Sequence, residues 1–150
     1  FKEVDLLSVI KNTLSLVGYQ LNQENINIDI YAEEKEYKVL GNQNELEQVF
    51  TNLILNAKDA IRQIRKFGNI KIYLSKNKEK ITAEVEDDGV GIPKEIISKI
   101  FDPFFTTKDV GKGIGLGLSI CQAIIERHKG KIFVESEPNK GTKFIIELPY

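Results

Sequence analysis

Residues 42–64 read NQNELEQVFTNLILNAKDAIRQI, and the spacing of their apolar side chains predicts one long helix. At about 100° per residue, these apolar positions fall on a single stripe that faces a core. Asn42 or Asn44 begins the helix, because each is followed three residues later by a glutamate in the capping-box arrangement. We expect the helix to end near Ile64. The core stripe contains Leu46, Val49, Phe50, Leu53, Ala57, Ala60, Ile61 and Ile64.

A narrow sector between this core stripe and the solvent face carries mostly uncharged amides. Its members are Gln48, Asn52, Asn56, Asp59 and Gln63, and the solvent face carries Glu47, Lys58, Arg62 and Arg65. Asparagine is a mediocre helix former, so two asparagines one turn apart indicate a function. One interpretation is that the Asn56 amide oxygen ligates Mg²⁺, which takes few protein oxygens and completes its shell with water and phosphate. The alternative is that the amides only hydrogen-bond a neighbouring loop.

The rest of the chain alternates between helical and strand periodicity. A first helix begins at the N-cap residue Asp5 and continues to Leu21. A later helix runs from about Gly115 to His128. Strands are predicted at residues 26–30, 37–40, 70–74, 81–87, 131–135 and 142–148, with a hairpin turn at 76–80. Helices combined with mainly antiparallel strands imply the α+β class and a two-layer α/β sandwich.

Composition narrows the classes of partner. The 150 residues suit one domain, and a formal net charge of -1 gives no broad basic field for nucleic acid. The single cysteine, Cys121, excludes an intrachain disulfide and lies in an apolar helical stretch, where a buried thiol is expected. No apolar run reaches the ~18 residues of a membrane span, so we expect no direct membrane insertion of this domain. The chain begins at Phe1 without methionine, and we expect a fragment of a longer protein.

Asp87 ends a strand on the side that faces the core. Alternate residues from Ile81 to Asp87 point the same way, and a buried carboxylate is costly unless it is hydrogen-bonded. Two glycines follow, Gly89 and Gly91, and their lack of side chains lets a planar ligand approach the backbone. Asp87 can therefore accept a hydrogen bond from an exocyclic amine such as that of adenine. The alternative is an Asp-Gly turn with a solvated acid.

A second glycine-rich segment, residues 111–119, reads GKGIGLGLS and leads into the last predicted helix. Glycines at a helix start expose backbone N–H groups to an anion, and the helix dipole adds a favourable field, so a phosphate fits there. The segment matches neither the Walker A pattern nor Gly-x-Gly-x-x-Gly. A flexible hinge is the alternative reading.

Three phenylalanines lie between the two glycine segments, in IFDPFFTTK at residues 100–108. Apolar loop residues need a surface to bury against, and a segment that closes over a bound nucleotide accounts for them. Lys108 and Lys112 would then offer positive charge to the phosphates. Plain solvation of these lysines is the alternative.

Taken in this order, the segments resemble the ATP-binding catalytic domain of bacterial sensor histidine kinases, in the superfamily that includes DNA gyrase and mismatch-repair ATPases. The resemblance covers nearly the whole chain as one domain. The N box matches at residues 47–57, the first glycine box at 87–91, the F box at 101–105, the second glycine box at 113–118 and the closing glycine motif at 141–144. The resemblance implies a Bergerat-type sandwich, in which a mixed, mostly antiparallel sheet carries three main helices on one face.

The resemblance also implies roles for the matching residues. Asp87 would bind the adenine amine, and Thr142 would reach adenine through its hydroxyl or a water. Asn56 would ligate Mg²⁺ and Asn52 would support the phosphates. The expected contacts with ATP are Asn52, Asn56, Asp59, Asp87, Gly89, Gly91, Ile92, Phe101, Lys108, Lys112, Gly113, Ile114, Gly115, Leu116, Gly117, Leu118 and Thr142. Many family members carry a phosphate-contacting lysine where Asp59 stands, and Lys108 or Lys112 would replace it.

Asn52 favours phosphoryl transfer over hydrolysis, because gyrase-type relatives carry a glutamate there that activates water. Transfer needs mainly positioning and charge neutralisation, which an amide-lined site can provide. The expected function is therefore to bind Mg-ATP and donate its γ-phosphoryl group to a histidine on a separate helical domain, absent from this chain, within a two-component system that ends on a response-regulator receiver domain. A serine-directed kinase of the anti-sigma type and a catalytically silent nucleotide-binding module stay open as alternatives.

The only histidine, His128, closes the last predicted helix. There it can complement the helix dipole while Gly130 forms the cap, so we do not expect it to be the phosphoacceptor. A domain that uses ATP and ADP is expected in the cytoplasm, and the sequence leaves open whether the full-length protein has a membrane anchor.

Overall fold

A computed structural model describes residues 1–105 and 117–150, and in those ranges it confirms the α+β sandwich with three α-helices and a mixed five-stranded sheet. No helix within these ranges has the length and apolar character needed to cross a membrane. The elements are β1 (Lys2–Asp5), α1 (Leu6–Gln23), β2 (Ile26–Ala32), β3 (Lys38–Gly41), α2 (Gln43–Arg62), β4 (Gly68–Lys76), β5 (Lys80–Asp87), a short 3-10 helix (Ile97–Lys99), α3 (Gly117–Arg127), β6 (Lys131–Glu137) and β7 (Gly141–Pro149).

The main sheet has the strand order β2-β4-β5-β7-β6. The pair β2 and β4 is parallel, whereas the other three pairs are antiparallel. A parallel pair needs a crossover connection, and the chain between β2 and β4 supplies one that contains α2. The predicted mixed and mostly antiparallel sheet is thus confirmed.

Side-chain caps fix the starts of the first two helices. Asp5 accepts a hydrogen bond from the backbone N–H of Leu7 at 3.2 Å, as predicted. Asn42, rather than Asn44, caps α2, because its side-chain oxygen accepts from the N–H of Glu45 at 2.9 Å. Each such cap stabilises a helix by about 1 kcal/mol.

The end of α2 corrects two assignments made from periodicity. The helix stops at Arg62, so Ile64 leaves the core stripe and is 42% exposed. Lys58 was expected on the solvent face, yet its side chain is only 17% exposed, and its Nζ lies 3.9 Å from a carboxylate oxygen of Glu24. A long lysine stem can cover apolar surface while its charge meets an acid at the edge.

The core lies between the helices and the inward face of the sheet. Alternate residues of β4, β5 and β7 point inward, which gives the period-2 pattern of burial. Phe50 and Leu53 of α2 are fully buried against them, and each such side chain stabilises the fold by roughly 1.5 to 3 kcal/mol. This packing holds α2 rigidly against the strands that end near Asp87.

The strand β1 was not predicted. It pairs antiparallel with β3 in a separate two-stranded sheet. Its last residue, Asp5, contacts both α1 and the residue that precedes β3. The Asp5 carboxylate that caps α1 also accepts from the N–H of Tyr37 at 2.8 Å. A strand of four residues with three charges and one buried side chain, Val4, carries almost no periodic signal.

His128 has the structural role that was expected, although through contacts rather than the helix dipole. It is buried, its Nδ1 lies 2.8 Å from the carbonyl oxygen of Ile124, and its Nε2 accepts from the N–H of Asn42 at 3.0 Å. These two partners require the neutral ring with its proton on Nδ1. His128 therefore ties the end of α3 to the start of α2.

The turn after α3 corrects the expected cap. Lys129, not Gly130, adopts the left-handed conformation, with φ of 62°. Gly130 is required for a different reason, because a Cβ there would lie 2.3 Å from the carbonyl oxygen of Glu147. The glycine thus permits close packing of the turn on β7.

Candidate functional site

A row of facing residues crosses four neighbouring strands where the sheet meets residues 88–92, the first glycine segment. Ile70 faces Asp87, Asp87 faces Thr142, and Thr142 faces Ser136. Directly opposite residues of an antiparallel pair hold their Cβ atoms about 4.5 to 5.5 Å apart. The row begins apolar and ends with three polar side chains, which lie on the helix side of the sheet.

Asp87 lies on the core side of β5, as predicted, and is 7% exposed. Its carboxylate accepts a hydrogen bond of 2.8 Å from the N–H of Gly89 and another from the backbone N–H of Thr142. Burial is the largest influence and raises the pKa of Asp87 to about 6, while the two hydrogen bonds oppose the rise. The acid is therefore mostly ionised at neutral pH and serves as a hydrogen-bond acceptor.

Thr142 and Ser136 form a pair of hydroxyls beside this acid. Thr142 is buried, and its Oγ1 lies 2.8 Å from Oγ of Ser136. Ser136 Oγ also accepts from the N–H of Ile92 at 2.8 Å and donates to the carbonyl oxygen of Gly141 at 3.0 Å. Ser136 thus joins the first glycine segment to the strand that carries Thr142.

The glycines of the first segment are needed for close backbone approach. Gly91 has φ of 76°, and a Cβ there would lie 2.2 Å from the carbonyl oxygen of Glu137. A Cβ on Gly89 would lie 2.6 Å from the backbone of Ala60 on α2. The segment is consequently pressed between α2 and the β6–β7 turn, next to Asp87.

Two residues of α2 contact the two glycine segments: Asn52 of the polar sector, and Ala60, which was expected in the core stripe but is only half-buried. Asn52 donates from Nδ2 to the carbonyl oxygen of Gly117 at 3.4 Å, at the start of α3. Eight residues later, Ala60 accepts from the N–H of Val90 at 3.1 Å. Four-residue spacing places Asn52, Asn56 and Ala60 on one stripe, which extends roughly 12 Å along the helix axis. The half-buried Asn56 lies midway, between the contacts made by the two segments.

Cys121 supports Asn52 from the next turn of α3. The Asn52 amide lies 3.7 Å from Sγ of Cys121, and burial raises the pKa of this thiol to about 11. A thiol with such a pKa stays protonated and unreactive at neutral pH. The expectation of a buried cysteine is confirmed.

Asp88 holds the start of the first glycine segment through the chain that follows α2. Arg65 donates from Nη2 to the Asp88 carbonyl oxygen at 2.7 Å and from Nη1 to its carboxylate at 3.3 Å. The backbone N–H of Asn69 donates to the same carboxylate at 3.0 Å. Arg65 was expected on a solvent face, but the helix ends before it and its guanidinium turns back to this acid.

Phe101 packs beside the site, against β7. Its ring meets that of Phe144 edge-to-face, with centroids 6.3 Å apart, and Phe144 lies two residues beyond Thr142 on the same face of β7. Phe104 is 71% exposed and has φ of 66°. Of the three F-box phenylalanines, Phe101 and Phe105 thus pack against the core, whereas Phe104 faces solvent.

Several predicted contacts fall on residues 106–116. Lys108, Lys112, Gly113, Ile114, Gly115 and Leu116 lie outside the described residues. Gly117 and Leu118 form the first turn of α3, and Asp59 is half-buried on α2 with its carboxylate 3.9 Å from Nζ of Lys58. No cluster of three or more His, Cys, Asp or Glu side chains suited to a metal occurs within residues 1–105 and 117–150.

Two polar residues of the site escaped the sequence analysis. Ser136 follows Ile132 and Val134 on the inward face of β6, so a serine at an apolar position was a readable signal of the kind that identified Asp87. Asp88 carried no such signal, because its partner Arg65 is 23 residues away and belongs to a loop.

The amino-acid sequence is similar to those of known kinases and ATPases. A sequence model described as histidine kinase-, DNA gyrase B-, and HSP90-like ATPase matches residues 41–150. Sporulation kinase A of Bacillus subtilis is 38% identical over 146 residues, which are 97% of this chain and 23% of that protein. Sensor histidine kinase ZraS of Escherichia coli K12 is 36% identical over 146 residues, 97% of this chain and 30% of that protein. The chain thus spans about a quarter of the length of these curated relatives.

Solved structures give the same placement. The nucleotide-free catalytic domain of histidine kinase ThkA superimposes with a TM-score of 0.88 and 37% identity, over 99% of this chain and 95% of that chain. Histidine kinase ThkA in complex with response regulator protein TrrA superimposes with a TM-score of 0.82 and 35% identity, over 99% of this chain and 41% of that chain.

Proposed function

The chain belongs to the family of histidine kinase-, DNA gyrase B- and HSP90-like ATPases, and from this we propose that it binds Mg-ATP and donates the γ-phosphoryl group to a histidine on a separate helical domain. The observation that carries the proposal is the stripe of Asn52, Asn56 and Ala60 on α2. One end of this stripe contacts the start of α3 and the other contacts the first glycine segment. A nucleotide laid along it would have its base near Asp87 and its phosphates near Gly117.

The base-binding end suits adenine. The ionised Asp87 carboxylate is a hydrogen-bond acceptor in a buried position, and an exocyclic amine is the donor that it lacks. Gly89 and Gly91 were expected to open the backbone to a planar ligand, but their missing Cβ positions face Ala60 and Glu137, so they instead allow the loop after β5 to pack tightly beside Asp87. A charge-assisted hydrogen bond of this kind supports both affinity and the choice of base.

The phosphate-binding end suits a magnesium-bound triphosphate. The half-buried Asn56 offers a hard amide oxygen between the two glycine segments, and it would hold Mg²⁺ together with phosphate oxygens and water. When bound, the ion would neutralise charge on the phosphates during transfer. Asn52 keeps the first turn of α3 beside this position through its bond to Gly117.

Transfer is favoured over hydrolysis because Asn52 is an amide and the two acids in the N-terminal part of α2 are engaged elsewhere. Glu45 pairs with Arg127 at 2.6 Å, and Glu47 accepts from Gln43 at 3.2 Å, both toward the N-terminal part of the helix. Asn52 stands where gyrase-type relatives carry a water-activating glutamate, and its amide cannot accept a proton from water. The arrangement therefore suits positioning of ATP for an external imidazole.

The partners follow from the reaction. The phosphoacceptor histidine would come from a helical domain of the same full-length protein, because the only histidine here, His128, is buried with both ring nitrogens occupied. A response-regulator receiver domain would take the phosphoryl group onward, as a two-component system requires. We accordingly propose a cytoplasmic location, where ATP is available.

A transfer assay tests the proposal. The chain is mixed with radiolabelled ATP, Mg²⁺ and a helical histidine domain from the same full-length protein, and phosphate stable to base but labile to acid should accumulate on the helical partner. Phosphoserine on an added protein would instead indicate a serine-directed kinase. Nucleotide binding without any transfer would indicate a silent binding module.

A further inference from the structure

Building on the proposed ATP site, we propose that Ser136 sets the direction of the Thr142 hydroxyl proton and thereby makes the base position beside Asp87 prefer a 6-amino purine over a 6-oxo purine. Ser136 lies two strands from Asp87 in the cross-sheet row and does not itself reach the position of the base. It is a positioning residue that acts through Thr142. The direction of the Thr142 proton follows from the donors and acceptors in a group of three hydrogen bonds.

The Ser136 hydroxyl has three neighbours and a single proton. The N–H of Ile92, at 2.8 Å, can only donate, so Ser136 Oγ accepts from it. The carbonyl oxygen of Gly141, at 3.0 Å, can only accept, so Ser136 donates its proton there. These two partners leave Ser136 with a lone pair and no proton for its third contact.

The third contact is Thr142 Oγ1, at 2.8 Å. If Ser136 gave its proton to Thr142, its oxygen would face the Gly141 carbonyl oxygen at 3.0 Å with no proton between them. Only the opposite arrangement, with Thr142 donating to Ser136, makes all three contacts favourable. The proton of the Thr142 hydroxyl is therefore directed toward Ser136 on β6 and away from Asp87, which lies on the other side of Thr142 in the row.

The direction of this proton determines whether Thr142 presents a hydrogen-bond donor or only acceptors to a ligand beside Asp87. Thr142 presents only lone pairs on its free side, and the neighbouring Asp87 carboxylate also only accepts. Two adjacent acceptors can accept hydrogen bonds from the two protons of an amino group. They repel the lone pairs of a carbonyl oxygen at the same position. Adenine carries the amine at this position, whereas hypoxanthine and guanine carry the oxygen.

An apolar residue at position 136 would continue the inward pattern of β6 set by Ile132 and Val134. The presence of a serine hydroxyl at this position is therefore explained by the hydrogen bonds that Ser136 makes. Removing it would also leave the N–H of Ile92 without this acceptor and loosen the first glycine segment, which would weaken every nucleotide alike. The test must therefore compare two nucleotides whose bases differ only in the amino or oxo group at carbon 6 and in the proton that the oxo form carries on the neighbouring N1.

The experiment measures Kd for ATP and for inosine triphosphate by calorimetry, with Mg²⁺ and the whole chain. The variants are Ser136→Ala, Thr142→Val and the double variant, and Ser75→Ala on the exposed part of β4 is the matched control. We expect Ser136→Ala to reduce the preference for ATP over inosine triphosphate by about tenfold, the value of one hydrogen bond. Thr142→Val should reduce the preference comparably, the double variant no further, and Ser75→Ala not at all.

Each result has a defined meaning. Equal weakening of both nucleotides by Ser136→Ala, with the preference unchanged, would overturn the inference and leave Ser136 as a support for Ile92 only. Additive losses in the double variant would also overturn it, because Ser136 would then act independently of Thr142. If Ser136→Ala does not fold, Thr142→Val alone decides, since an unchanged preference there removes Thr142 from base selection. A wild-type chain that binds neither nucleotide would overturn the proposed function and this inference together.

Discussion

Asn52 on α2 and Gly117 at the start of α3 are joined by a hydrogen bond of 3.4 Å from the asparagine amide to the glycine carbonyl oxygen. The bond spans 65 residues of sequence and fixes the first turn of α3 against the polar sector of α2. That turn is therefore held beside Asn52, one helical turn before Asn56, the residue proposed to ligate a phosphate-bound Mg²⁺. Four predictions follow from this arrangement and from the row that contains Asp87.

Replacing Asp87 with asparagine should weaken ATP binding by roughly 1.5 to 3 kcal/mol, because a charge-assisted hydrogen bond to the adenine amine becomes a neutral one. Calorimetric titration at pH 7.5 measures the change. Glu86→Gln is the matched control, since Glu86 precedes it on the same strand but points to the opposite face of the sheet. Equal affinities for Asp87→Asn and wild type would remove Asp87 from the site.

The stability of the fold should depend on pH through Asp87. The carboxyl has a pKa of about 6 in the folded chain and a reference value of 3.8, so between these values the unfolded chain holds fewer protons and stability falls as pH rises. The fall amounts to about 3 kcal/mol and is complete above pH 6. In urea unfolding from pH 4 to pH 8, the free energy of unfolding of Asp87→Asn should rise relative to that of wild type as pH increases across this window. Parallel curves for the two proteins would contradict the burial cost assigned to this carboxylate.

Asn56→Ala should chiefly reduce the gain in ATP affinity that Mg²⁺ produces. We expect this gain to fall by at least about tenfold, because the Asn56 amide oxygen is the proposed protein ligand of the ion. ATP affinity is measured across a magnesium titration and compared with affinity in excess chelator. Gln48→Ala serves as control, since Gln48 shares the polar sector of α2 two turns earlier. A magnesium titration identical to that of wild type would count against the role of Asn56.

Gly91→Ala should destabilise the fold by at least about 2 kcal/mol, because it combines a left-handed conformation with a Cβ placed 2.2 Å from the Glu137 carbonyl oxygen. Gly18→Ala provides the contrast, since nothing lies within 4 Å of a Cβ on that glycine in α1. This second change should stabilise the chain by about 0.5 to 1 kcal/mol. Thermal and urea unfolding measure both, and equal effects of the two substitutions would refute the argument from close packing.

Much of the fold was predictable because its signals are local. The cap at Asp5, the hairpin turn of residues 76–80 and the inward position of Asp87 all follow from spacing within a few residues. In the turn, Asn77 accepts from the backbone N–H groups of Glu79 and Lys80, which is the chemistry expected of such a polar loop.

Other features depend on partners that are distant in sequence. Strand β1 exists because its four residues find β3, and Arg65 turns from solvent to Asp88 because α2 ends three residues earlier. The proton arrangement around Ser136 needs the positions of three separate segments at once. Periodicity describes which face a side chain occupies, but it does not say which atom of another segment will meet it.

The most direct test of the central claim is a structure of this chain with Mg²⁺ and a non-hydrolysable ATP analogue. The account predicts the adenine amino nitrogen at about 3 Å from the Asp87 carboxylate, Mg²⁺ ligated by the Asn56 amide oxygen, and the phosphates beside the first turn of α3. An analogue that binds without contact to Asp87 and Asn56 would contradict it.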